Sequence, residues 1–149
     1  MTTADEIKKL REQTGVSIML CKKALEFSDG DEGRAMEWLR QNGADVAHKK
    51  SSRSAKSGIV ESYIHNNGQV GVLVEVRSET DFVAKNPDFK NFAHNIAMHI
   101  AASDPEDKDV LLEEEYVKNP NIKVSDYINE SIQKFGENIE IMRFQRFSL

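Results

Sequence analysis

At 149 residues, 39% hydrophobic and 30% charged, the chain has room for one ordinary domain, or a core domain with a small appendage, in a folded and well-solvated protein. A net charge of −5 excludes a general nucleic-acid binder, which needs a basic footprint, and a single cysteine, Cys21, leaves no intrachain disulfide and no cysteine zinc cluster. Residues 1–6 lack a basic-then-apolar secretory pattern and no apolar run approaches membrane-spanning length, so a cytoplasmic protein with no membrane contact is expected.

Residues 3–45 read as three short helices. Thr3 and Glu6 have capping-box spacing, Thr14-Gly15 ends the first helix, and Ser17 can cap a second carrying Met19, Leu20, Ala24, Leu25 and Phe27. Asp31 can cap a third, with Ala35, Met36, Trp38 and Leu39 as its apolar positions and Asn42-Gly43 as its stop. Such a unit suits docking rather than chemistry. Residues 47–57 hold four lysines or arginines and no acid, which reads as a solvated basic linker; without interleaved aromatics it is a weak signal for a nucleic-acid contact.

Residues 59–65 and 69–77 read as two strands around Asn66-Asn67-Gly68, where Asn67-Gly68 suits a two-residue hairpin turn. Val70, Val72, Val74 and Val76 fall on one face of the second strand and need a cover. The next helical pattern supplies it. Asn86-Pro87-Asp88 is a helix start, and Phe89, Phe92, Ala93, Ile96, Ala97, Ile100 and Ala101 recur along one stripe. Residues 104–115 carry seven acids and one lysine, as a solvated loop and short helix would. Ser125 can cap a helix through Ile128 and Ile132 that stops at Gly136, and residues 137–149 alternate as a third strand beside the hairpin. The fold class is α+β: a three-helix module over residues 1–46, a linker over 47–57, and over 58–149 a single core domain with a three-stranded antiparallel sheet packed by helices.

No glycine-rich phosphate loop is present, so the chain is not expected to bind nucleotide directly. His94 and His99, five apart on a helix, face different ways and cannot share a metal, and Cys21 sits among apolar positions as an inert thiol would. No catalytic set assembles, so the chain is expected to be a binding protein rather than an enzyme, without metal or other cofactor. The remaining feature is the strand-to-helix junction Thr80-Asp81-Phe82-Val83-Ala84-Lys85-Asn86, where a scaffold can hold a loop stiff. From chemistry alone Phe82 fits either a core residue or an exposed probe, and Asp81 could simply cap a helical turn.

That junction resembles the signature of bacterial elongation factor Ts, the guanine-nucleotide exchange factor of elongation factor Tu. So do Leu10-Arg11-Glu12-Gln13-Thr14-Gly15 with Cys21-Lys22-Lys23-Ala24-Leu25, then Ile96-Ala97-Met98-His99-Ile100-Ala101-Ala102, and Gly136-Glu137-Asn138-Ile139, all in family order. The resemblance implies a ubiquitin-associated fold for the N-terminal helices and a mechanism without covalent chemistry. Phe82 would wedge into the partner's nucleotide-binding domain beside Asp81, with Thr80 and Val83 setting their position, and so disturb the magnesium site and release GDP. Ile18, Met19 and Leu20 match the family's docking segment, and His65 matches a hairpin-tip contact. Leu20 stands where an aspartate is common, so either the docking surface differs or Leu20 packs inward. The chain carries one core half where longer members have two, and a helical stretch is missing near Glu115 and Tyr116. A homodimer is therefore expected, as in short members. The alternative is an adaptor that keeps the fold and binds without promoting exchange.

Overall fold

Capping chemistry sets the first three helices in the computed structural model, which describes Met1–Leu149. Thr3 and Glu6 form the reciprocal capping box of α1 (Ala4–Thr14), and Gly15 closes it in the left-handed region at φ 71°. Ser17 caps α2 (Ile18–Phe27) and Asp31 caps α3 (Glu32–Lys50). Leu10, Val16, Cys21, Ala24, Leu25, Ala35 and Leu39 form a small core of their own. Met19 and Phe27, assigned from periodicity to the apolar face of α2, are exposed instead, Phe27 lying against Trp38.

The third helix does not stop at Asn42-Gly43. It continues to Lys50 and absorbs the first part of the expected linker, so that only residues 51–56 join it to the sheet. The reason is tertiary. Gly43 is buried against α7 (Val124–Phe135), where a β-carbon would stand 3.1 Å from Gln133 Oε1 and 3.6 Å from the Asn129 carbonyl oxygen. The glycine permits close helix approach rather than ending the helix. Ala47 joins the larger core, with Val46 packed against it, and Arg40 Nη1 lies 3.2 Å from Asp126 Oδ1. The first three helices thus lean on the rest of the molecule through α3.

β1 (Ser57–Ile64), β2 (Val70–Ser78) and β5 (Glu140–Ser148) form the antiparallel sheet in the order β1-β2-β5. The hairpin turn is longer than the two residues expected. His65 N–H donates to the Val70 carbonyl, Gly68 N–H returns to the His65 carbonyl, and only Gly68, at φ 73°, is left-handed. Asn67 instead accepts the Gln69 N–H on its side chain at 3.0 Å.

Val72, Val74 and Val76 are fully buried, and α5 (Pro87–Ser103) covers them. Asn86 caps α5 and Pro87 occupies its first turn, as the sequence indicates. Phe89, Phe92, Ile96 and Ile100 fill the space between helix and sheet, and Phe89 meets Phe135 of α7 edge-on at 5.8 Å. α7 is capped two residues earlier than expected, at Lys123. Ser125 lies inside the helix, and the Asp126 carboxylate accepts the Lys123 N–H at 3.0 Å.

The acidic stretch contains α6 (Lys108–Glu113), and it leads into a small hairpin of β3 (Glu115–Tyr116) and β4 (Asn119–Lys123) that no periodicity announces. Buried His99 holds it. Nδ1 accepts the Val117 N–H at 3.1 Å, which leaves the Nε2 proton for Glu114 Oε1, also at 3.1 Å. Tyr116 stacks on Tyr127 at 4.3 Å.

Phe89 touches α7 and sits where α5 meets the core, so Phe89→Ala should cost about 3–5 kcal/mol in urea unfolding. A loss under about 1 kcal/mol would mean that α5 is not the packing centre.

Candidate functional site

The junction between β2 and α5 is a single tight turn. Thr80 leaves the strand in extended conformation, with φ −124° and ψ 155°, and its hydroxyl oxygen accepts the Val83 N–H at 3.3 Å. It therefore caps the one-turn helix α4 (Asp81–Ala84); Asp81 is the first helical residue and not the cap. The Thr80 carbonyl accepts from Ala84 N–H and from the Ser78 hydroxyl, and Asn86 N–H donates back to the Val83 carbonyl at 2.9 Å.

From the far side, Glu137 closes the turn. Its Oε1 accepts the N–H groups of Glu79 and Thr80 at 3.1 and 3.0 Å, and its Oε2 accepts the Thr80 hydroxyl at 2.7 Å. Nothing in the local sequence signals this contact, because Glu137 lies 57 residues from Thr80.

Within this turn, burial divides cleanly by residue. Val83 and Ala84 are buried at 5% and 6%, while Asp81 is exposed and Phe82 is 84% exposed. A lone exposed apolar side chain is ordinary on a protein surface. Phe82 is set apart by its footing: Val83, the residue next to it, is anchored in the main core, and the backbone around both is hydrogen-bonded on each side. The structure resolves the choice between core and exposed residue. Phe82 projects into solvent, from a turn with little freedom to fold it back.

The other predicted residues lie on separate elements. Ile18 and Met19, 56% and 68% exposed, open α2, while Leu20 is half-buried and packs inward on the small N-terminal core. His65 is exposed at the hairpin tip, with Nδ1 3.1 Å from the Tyr63 hydroxyl. Cys21 is wholly buried and burial pushes its thiol up, which keeps it protonated and unreactive. No group of three or more His, Cys, Asp or Glu side chains converges on one point. No helix is long and apolar enough to cross a membrane.

The turn thus presents an exposed aromatic and an exposed carboxylate side by side from a hydrogen-bonded frame in an α+β fold. Comparison with known proteins gives the family. Residues 79–149, from the junction to the last strand, match the family model described as Elongation factor TS. Elongation factor Ts of Desulfosudis oleivorans is 42% identical over 192 aligned positions, spanning 99% of this chain and 97% of that protein. Those of Carboxydothermus hydrogenoformans and Heliobacterium modesticaldum are 41% and 40% identical, spanning all of this chain and 89% and 90% of their own lengths. The chain belongs to the elongation factor Ts family and is a translation elongation factor by that membership. The alignments run to 192 and 194 positions against 149 residues here, so each relative carries several tens of residues with no counterpart in this chain.

The two neighbours at the tip should respond oppositely to truncation. Phe82→Ala should leave unfolding free energy within about 0.5 kcal/mol of the parent, whereas Val83→Ala should lower it by roughly 1–3 kcal/mol. Equal losses in urea titrations of both variants would return Phe82 to the core.

Proposed function

We propose that this chain is a guanine-nucleotide exchange factor for elongation factor Tu, acting through the Asp81-Phe82 tip. The observation that carries the reading is the 84% exposure of Phe82 on a turn fixed by the core and by hydrogen bonds on both sides. A wedge needs both properties. An aromatic that could fold back would spend its insertion energy on ordering itself.

In this reading Phe82 enters between elements of the partner's nucleotide-binding domain, with Asp81 as the polar contact beside it and Thr80 and Val83 holding the two in place. The insertion displaces the partner's magnesium ion, which neutralises much of the diphosphate charge, and GDP then leaves faster. The driving force is differential binding. The factor holds the nucleotide-free partner more tightly than the GDP-bound one, and by linkage incoming nucleotide expels the factor. The N-terminal helices, in the ubiquitin-associated arrangement that the family implies, dock through Ile18 and Met19, with Leu20 turned inward as support. His65 adds a contact from the hairpin tip. The chain itself binds no nucleotide, nucleic acid or membrane, and the cytoplasm, where translation runs, is its place of action.

The open face of the sheet supports a homodimer. Val60, Ile64, Leu73 and Phe147 are each at least half exposed there, and Gly71 lies in register between Ile64 and Phe147. Glu75 bridges Arg77 and Arg143 at 2.7 and 2.8 Å in the middle of the same face, so both guanidiniums are paired there while the trio keeps one net positive charge. A second copy of this chain would cover the patch.

Substituting Phe82 by alanine should remove most of the acceleration of labelled-GDP release from elongation factor Tu, measured by stopped flow, and leave the fold intact. Unchanged acceleration would sink the wedge. Binding of the parent chain with no change in GDP off-rate would favour the adaptor reading, for which the observation is that the relatives carry several tens of residues with no counterpart here. Light scattering over a concentration series should show the dimer mass for the parent and the monomer mass for Leu73→Asp. A parent that stays monomeric throughout would refute the paired sheets.

A further inference from the structure

The turn after α7 gathers contacts from three distant parts of the chain. Gly136, left-handed at φ 73°, ends the helix and turns the chain so that Glu137 faces the β2–α5 junction. The Gly136 carbonyl accepts Lys50 Nζ from the end of α3 at 3.0 Å. Buried Asn138 donates its side-chain N–H to the Arg53 carbonyl at 2.9 Å, in the connection between α3 and the sheet. Between these two contacts sits the Glu137 carboxylate with its three bonds to Glu79 and Thr80.

The pattern of those bonds is what matters. The N–H groups of Glu79 and Thr80 have no backbone acceptor, because the strand ladder ends at Ser78 and α4 begins after them. Oε1 satisfies both at once, and Oε2 takes the hydroxyl proton of Thr80, which directs a lone pair of the Thr80 oxygen toward Val83 N–H. One carboxylate thus fixes both the backbone entering the tip and the orientation of the side chain that caps it. Carboxylate acceptors make the stronger, shorter class of hydrogen bond; Glu137 and Glu79 are half-buried and Thr80 is exposed.

We propose that Glu137 is a positioning residue for the tip: its carboxylate latches Glu79 and Thr80, and through the Thr80 cap holds Phe82 in the projecting geometry that the contact with the partner uses. The proposal rests on the exchange-factor reading for its functional consequence, but the latch itself does not. Glutamine can keep one acceptor oxygen for the two N–H groups and offer a donor to the Thr80 oxygen, so it is the partial replacement. Alanine removes all three bonds. Aspartate, one methylene shorter, cannot span the gap.

The test compares Glu137→Ala, Glu137→Gln, Phe82→Ala and the double variant Glu137→Ala/Phe82→Ala in the full chain. Amide hydrogen exchange at Glu79, Thr80 and Val83 should speed up by roughly tenfold or more in Glu137→Ala, less in Glu137→Gln, with the protection of α5 amides unchanged. In stopped-flow release of labelled GDP at saturating factor, Glu137→Ala should be slower than the parent by roughly tenfold, and Glu137→Gln should recover part of the difference. The double variant should be no slower than Phe82→Ala alone, because a residue acting through Phe82 has nothing left to position once the ring is gone. Parent-like protection of Glu79, Thr80 and Val83 in Glu137→Ala would overturn the latch. Additive losses in the double variant would overturn the positioning role. If the parent chain fails to accelerate release at all, the exchange-factor reading falls, and the amide protection by itself still upholds or overturns the latch.

Discussion

The packing of the β2 valine face beneath α5 is the constraint on which the rest of the structure depends. Val72, Val74 and Val76 on the strand and Phe89, Phe92, Ile96 and Ile100 on the helix are all buried in one core. Strand and helix are consecutive in the chain, so fixing one against the other also fixes the ends of the short segment between them. That segment is the tip. Its geometry is a consequence of the core and not of its own sequence alone, and the buried Val83 ties it to the same core from within. Each side chain of this size contributes roughly 1.5–3 kcal/mol by burial, so the platform under Phe82 is far stiffer than an exposed loop of equal length.

Around that platform the molecule adds supports in layers. α7 packs on Phe89 through Phe135, and α3 packs on α7 where Gly43 lets the two helices approach. The turn at Gly136, Glu137 and Asn138 then touches α3, the connection after it and the tip. The N-terminal helices and the tip are therefore joined through one small region rather than separated by a free linker. For a factor that engages its partner with both parts, such a joint keeps their relative placement, and less orientational freedom is lost on association.

Much of this was legible in the sequence where the chemistry is local. Thr3, Ser17, Asp31 and Asn86 cap helices as their residue types and spacing suggest, and the alternating valines of β2 face the core. What escaped was tertiary. Gly43 reads locally as a helix stop, and only the presence of α7 beside it makes it a site of close approach. Ser125 reads as a cap, yet Asp126 reaching back to Lys123 does that work. The β3–β4 hairpin has too few residues to show a period, and buried His99 secures it from another element. At the tip, the sequence alone left Phe82 between core and solvent, because a single aromatic carries no periodicity. The contact of Glu137 with Thr80 spans 57 residues and has no local signature at all.

The central claim is that the tip binds the nucleotide-free partner better than the GDP-bound one, since a ligand shifts an equilibrium only by its differential affinity. The direct measurement is a pair of dissociation constants, by titration calorimetry, for this chain with elongation factor Tu stripped of nucleotide and with elongation factor Tu loaded with GDP and magnesium. The account predicts markedly tighter binding to the stripped form, by the same factor by which this chain weakens GDP binding. Equal affinity for the two forms would contradict it, however tight the binding.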